Sequence, residues 1–167
     1  GAPPDPAAEG DSVAAQQKRR GFRMMSQPRA LARFIEDVGA EAEAELVING
    51  DFIDFLAERR DDGSFTSFLQ TEHEALEVFR RIAGQVGPDG KTLPRGDREG
   101  WDSVVFDALR AFLGRGKRLT IMLGNHDVEM CFPRVREELV RRLGGGDLHF
   151  RYDDEALTVG PDVLIEH

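Results

Sequence analysis

Apolar positions along the chain fall into two rhythms, and the switch between them marks its elements. Leu31, Phe34, Ile35 and Val38 recur at i, i+3, i+4 and i+7, one stripe of an amphipathic helix over about 28–38. Ser26 or Pro28 can start that helix and Gly39 can end it. Residues of about 45–49 form a short, continuous apolar run and read as a strand. Phe65, Phe68, Leu69, Leu76, Phe79 and Ile82 predict a helix near 64–83, followed by a Gly- and Pro-rich loop over 84–100. Val105, Ala108, Leu109 and Phe112 predict a helix near 102–113, with Gly114 behind it. A second apolar strand is expected over about 118–123. A helix through Val135, Leu139, Val140 and Leu143 then stops at Gly144–Gly146. Short strands are expected at 148–152, 156–159 and 162–166. Residues 1–17 carry almost no large apolar side chains and read as a flexible lead-in.

Strand, helices, strand, helix is the order of an α/β domain with a parallel sheet and crossover helices. At 167 residues the whole chain, 1–167, has the length of a single domain. Residues 55–117 form a helical insertion between the two main strands, placed where it can cover a site as a lid. The run Leu119–Leu123 suits the middle of such a sheet, buried on both faces. Ligands of open α/β sheets bind at the carboxyl ends of the strands.

Both main strands end in polar clusters. The first runs Asn49-Gly50-Asp51-Phe52-Ile53-Asp54 and the second Gly124-Asn125-His126-Asp127. Together they supply carboxylate oxygens, an amide oxygen and an imidazole, the donors taken by hard or borderline divalent cations. Gly50 and Gly124 let the backbone turn sharply enough to aim the next side chains at one point. Gly-Asp-x-x-Asp alone is a weak signal, since Asp after Gly is common at turns and caps. Gly-Asn-His-Asp is sharper, with a chance frequency on the order of one chain in a thousand. Outside the clusters, His73 sits on a charged helical stretch and His149 in a strand-like run, and both read as structural or solvated. "GDSV" at 10–13 lacks the strand that a nucleophile turn requires. The acids at 61 and 72 bracket no calcium loop, because Thr66 stands where such a loop needs Gly.

A net charge of −9 argues against a nucleic-acid-binding patch. Cys131 is the only cysteine, so neither an internal disulfide nor a thiolate cage can form. No apolar run has the length of a membrane span. A cytoplasmic location, at most peripheral to a membrane, is the expectation.

"NGDFID" and "GNHD" resemble the second and third signature blocks of the calcineurin-like metallophosphoesterases, whose full pattern is Asp-x-His, Gly-Asp-x-x-Asp, Gly-Asn-His-Asp/Glu, a lone His, and Gly-His-x-His. The resemblance implies an α/β/β/α sandwich and a centre of two divalent metal ions, commonly manganese, iron or zinc. It assigns Asp51 to bridge the metals and Asn125 to bind one of them. His126 approaches the leaving group or a phosphate oxygen, and Asp127 orients its imidazole. Asp54 supports the centre from behind rather than binding metal. No Asp-x-His lies upstream of Asp51 and no Gly-His-x-His occurs in the sequence. The chain closes on "VLIEH", which makes His167 the counterpart of the lone His and a metal ligand. The sandwich is therefore expected to be incomplete at both ends, and the chain alone to show negligible turnover.

Two functions follow. One is a metal-dependent hydrolase of phosphomonoester, phosphodiester or pyrophosphate bonds, acting on a phosphorylated small molecule or a lipid-linked substrate. A branch of the family cleaves the pyrophosphate of UDP-2,3-diacylglucosamine, although its members often carry Arg where this chain has His126. The alternative is a non-catalytic binding or scaffold domain on the same fold with an incomplete metal site.

Overall fold

The computed structural model describes residues 27–57, 68–84, 103–152 and 156–167. The lead-in at 1–17, the "GDSV" segment, the acidic loop at 61–67 and most of the loop at 84–100 lie outside these residues. So do two stretches of the insertion at 55–117.

Helix α1 spans Pro28–Ala40, with proline in its first turn where a missing N–H costs nothing. It runs through Gly39 rather than stopping there. Gly39 is buried against Phe112 and Arg115, each with an atom 3.0 Å from the position a Cβ would take. The buried face is accordingly Pro28, Ala32, Ile35 and Gly39, and Phe34 of the predicted stripe is 55% exposed. Strand β1 (Glu45–Ile48) follows, then a 3-10 turn at Phe55–Ala57.

Helix α2 spans Glu72–Ala83, beginning well after the predicted start near 64. Thr71 caps it, accepting from the Glu74 amide at 3.3 Å while its hydroxyl donates to the Glu74 carboxylate at 2.9 Å. This is a Thr-x-x-Glu capping arrangement, and it leaves Phe68 and Leu69 outside the helix. Helix α3 spans Ser103–Gly114 and leads into strand β2 (Arg118–Met122). A second 3-10 turn, Val128–Cys131, precedes helix α4 (Pro133–Leu143). Gly144 ends α4 in the left-handed conformation at φ 82°, a conformation with no penalty for glycine. Strands β3 (Leu148–Arg151), β4 (Ala156–Val159) and β5 (Val163–Glu166) complete the described chain.

The protein is a mixed α/β structure. Strands β1, β2 and β3 form a parallel sheet in that order, with Leu46 opposite Leu119 and Ile121 opposite Phe150. Central β2 buries Leu119, Thr120, Ile121 and Met122, as a strand covered on both faces must. The Thr120 hydroxyl meets its hydrogen-bonding need on Glu45 at 3.0 Å. Strands β4 and β5 form a separate antiparallel pair.

The core joins Ile35 of α1, Phe79 of α2, Leu109 and Phe112 of α3, Leu119 and Ile121 of β2, and Val135, Leu139 and Leu143 of α4. Arg142 is 1% exposed within it. Its guanidinium donates to the Ala83 and Ser103 carbonyls at 2.8 and 3.1 Å and pairs with Asp107 at 2.8 Å. One side chain thus ties the end of α2 to the start of α3. Among the described residues, no helix is long and apolar enough to cross a membrane.

Because β1 and β2 are parallel neighbours, their carboxyl ends lie side by side. The polar tails that follow them meet there.

Candidate metal centre

The first tail turns on two consecutive residues with positive φ, Gly50 at 68° and Asp51 at 48°. Asp tolerates this region better than most side chains, yet the conformation is uncommon outside glycine. Such residues concentrate at functional sites held by their surroundings. Here the surroundings are two glycines. A methyl at Gly124 would overlap the Asp51 amide nitrogen and Oδ1 and would stand 2.9 Å from His167 Nε2. A methyl at Gly50 would strike the His167 ring, with Cε1 only 2.7 Å away. The absent side chains let two backbones and an imidazole share one small volume.

Within that volume three donor atoms converge. His167 Nε2 lies 3.4 Å from Asp51 Oδ1 and 3.2 Å from Asn125 Oδ1. On its other side, His167 Nδ1 is 2.9 Å from the Asn49 carbonyl oxygen. That oxygen accepts only, so Nδ1 donates in this contact and Nε2 is the ring nitrogen turned to the two oxygens. Metal-binding histidines have this second contact almost without exception. Asn49 also docks the end of β5, its Nδ2 donating to the Glu166 carbonyl at 2.7 Å. The hairpin thereby delivers His167 to the rim.

Three electron-rich atoms facing one another repel unless a cation, either a proton or a metal ion, stands among them. Metal–donor bonds of about 2.1 Å, set tetrahedrally or octahedrally, put neighbouring donors roughly 3.0–3.4 Å apart. The 3.2 and 3.4 Å separations match that shell, so Asp51, Asn125 and His167 fit a divalent ion. Among the described residues, no group of three or more His, Cys, Asp or Glu side chains is arranged to hold a metal. The third donor here is the Asn125 amide.

His126 stands beside this trio. Its backbone N–H donates to Asp51 Oδ1 at 3.0 Å, and its Nδ1 lies 3.2 Å from Asp54 Oδ1. The carboxylate that orients the imidazole is therefore Asp54, and the role expected for Asp127 is corrected. Asp127 is 1% exposed and spends its oxygens on backbone, accepting from Gly124 at 2.7 Å and Phe52 at 2.8 Å. Burial pushes its carboxyl above the ordinary value, the Gly124, Phe52 and Ile53 amides pull it back, and the neighbouring Asp51 charge adds to the rise. Its work is to clamp the two tails together.

Two further residues of this rim were missed in the sequence. Asn49 supplies the carbonyl and amide that seat His167, and the Asn-Gly pair before Asp51 was its only signal. Glu129, 1% exposed, accepts the Leu69 amide at 2.9 Å. The insertion thus leaves from Asp127, through Phe52, and returns to Glu129. One Asp-x-His does occur, at Asp147-Leu148-His149. It lies at the amino end of β3, where His149 Nε2 and Arg118 Nε contact Asp147 at 2.6 and 3.0 Å. That is the edge opposite the site. His73 is exposed.

No family model, curated protein or solved structure matches the chain.

Proposed function

We propose that this chain carries the metal centre of a metal-dependent phosphoester hydrolase of the calcineurin-like type. The observation behind the reading is the convergence of Asp51 Oδ1, Asn125 Oδ1 and His167 Nε2, with His167 Nδ1 seated on the Asn49 carbonyl. Asp51, Asn125 and His167 would hold one cation. The second metal and the full α/β/β/α sandwich implied by the resemblance call for donors and strands beyond those described. Bound divalent ions would supply Lewis acidity, raising the acidity of water and offsetting charge on phosphoryl oxygens.

The side chains contribute the remainder. Asp54 at Nδ1 leaves His126 Nε2 directed away from that carboxylate, placed to hold a proton for a departing alkoxide or phosphate oxygen. Asp127 fixes the Gly124 and Phe52 amides, so that Asn125 and Asp51 keep their relative position. Preorganisation of this kind is where such sites gain most of their effect.

In the full-length protein, His126→Ala and Asp51→Asn are each expected to remove most turnover of a model phosphodiester such as bis(p-nitrophenyl) phosphate. Near-normal turnover by either variant would contradict the proposal.

A further inference from the structure

Four described arginines are buried or half-buried: Arg80, Arg110, Arg136 and Arg142. Three have their charge or donors engaged. Arg80 pairs with Glu77 and Glu138, Arg142 pairs with Asp107, and Arg110 also has a partner. Arg136 is different. Among the described residues its guanidinium has neither a carboxylate nor a hydrogen-bond acceptor, and it lies 5.5 Å over the ring of Tyr152. Phe150 fixes that ring from the side, with centroids 5.4 Å apart. Burial pushes the Tyr152 phenol up, so no phenolate neutralises the cation.

Its place in the fold matters as much. Tyr152 directly follows β3, and the Leu123 amide donates to the Arg151 carbonyl at 3.1 Å. The tyrosine therefore stands beside Leu123–Gly124, at the start of the loop that carries Asn125 and His126. Arg136 sits in the first turn of α4, its amide bonded to the Phe132 carbonyl at 3.2 Å, only a 3-10 turn beyond Asp127. Asn49 borders the metal trio from the end of β1, and Tyr152, with Arg136 over its ring, follows the end of β3, on the other side of β2.

Resting on the proposed function, we infer that Arg136, held over Tyr152, takes a second anionic group of the substrate, a phosphate or carboxylate separate from the phosphoryl group at the metal. The Arg136 guanidinium, partly buried and without a carboxylate or acceptor among the described residues, keeps its donors available to an anion. Its planar fork matches either group in two parallel hydrogen bonds. Stacking on a fixed ring keeps the fork in place before the ligand arrives.

The test uses the full chain with Mg²⁺ and four probes. Methylphosphonate and phosphate carry one anionic group; phosphonoacetate and pyrophosphate add a carboxylate and a phosphate. Calorimetry on wild type, Arg136→Ala and Arg136→Lys gives the dissociation constants, and the Arg136 Nε–H resonance reports contact directly. Arg136→Ala is expected to weaken at least one two-anion probe about tenfold or more while changing the one-anion probes less than about twofold. Arg136→Lys should fall between, and the preferred two-anion probe alone should shift the Nε–H resonance. Whichever two-anion probe responds identifies the group. Equal losses for one- and two-anion probes, or none, would overturn the inference and leave the metal reading standing, provided that methylphosphonate binding still depends on Asp51. If methylphosphonate binds Asp51→Asn as well as wild type, or no probe binds wild type, both fail.

Discussion

Replacing Gly124 by alanine tests the geometry most severely with the smallest chemical change. The added methyl would overlap the Asp51 amide nitrogen and Oδ1 and reach 2.9 Å from His167 Nε2, where ordinary contacts begin near 3.4 Å. The obstacle includes backbone, so no rotamer change relieves it. Asp51 must retreat by on the order of 1 Å, several times the roughly ±0.2 Å tolerance of a metal–ligand bond. Overpacking of this kind costs about 1–3 kcal/mol of stability, and a misplacement on the order of 1 Å costs turnover up to about 10²-fold.

Gly114→Ala is the control. It lies at the end of α3 with nothing within 4 Å of its Cβ position, and alanine there is expected to be neutral or stabilising by about 0.5–1 kcal/mol. Urea unfolding gives the stabilities, and Mn²⁺ titration followed by electron paramagnetic resonance gives the metal affinity. Gly124→Ala should lose both stability and at least about tenfold in affinity. Equal Mn²⁺ affinity in Gly124→Ala and Gly114→Ala would refute the reasoning, because the site would then not depend on the close approach of the two tails.

If the protein hydrolyses phosphoesters as proposed, Asp54→Asn should lower that turnover by roughly 10–100-fold while leaving Mn²⁺ affinity near wild type, because Asp54 contacts the His126 ring. A loss of affinity matching the loss of turnover would move Asp54 into the metal shell. Glu138 gives a pH signature remote from the site. Burial raises its carboxyl, but the Arg141 and Arg80 guanidiniums outweigh that and hold it below the ordinary value of 4.5. With the folded value depressed, the stability from these contacts is present above the unfolded value and lost as pH falls through the folded one. Glu138→Gln should therefore cost roughly 1–2 kcal/mol at pH 7, discounted for the exposure of Arg141, and the gap to wild type in urea midpoints should close as pH falls through the depressed folded value. A gap that persists there would assign the cost to packing instead.

Much of the fold was legible because burial imposes periodicity. The stripe of α3 and the apolar run of β2 lie within a residue or two of their expected places. Where the reading slipped, a local rule was outweighed by a contact distant in sequence or by a cap. Gly39 resembled a stop signal, but the close approach of Phe112 and Arg115 needs a glycine inside α1. Phe65 and Phe68 extended the predicted α2 backward, although "TEHE" already marked Thr71 as its cap. The trio Asp51, Asn125 and His167 could be named as residues from the motif resemblance. Nothing one-dimensional told which carboxylate would face His126. Asp54 and Asp127 are both close to it in the motifs, and only the fold decides that Asp127 is turned inward to the Gly124 and Phe52 amides. Asn49 and Glu129 act through a backbone carbonyl and a backbone amide, contacts for which side-chain identity gives almost no cue.

The measurement that bears most directly on the central claim is Mn²⁺ binding by the 167-residue chain, compared with Asp51→Asn and His167→Ala in electron paramagnetic resonance titrations. The account predicts saturable binding by the wild type at one equivalent, reduced at least about tenfold in either variant. Absence of binding by the wild type, or equal binding by all three, would contradict it.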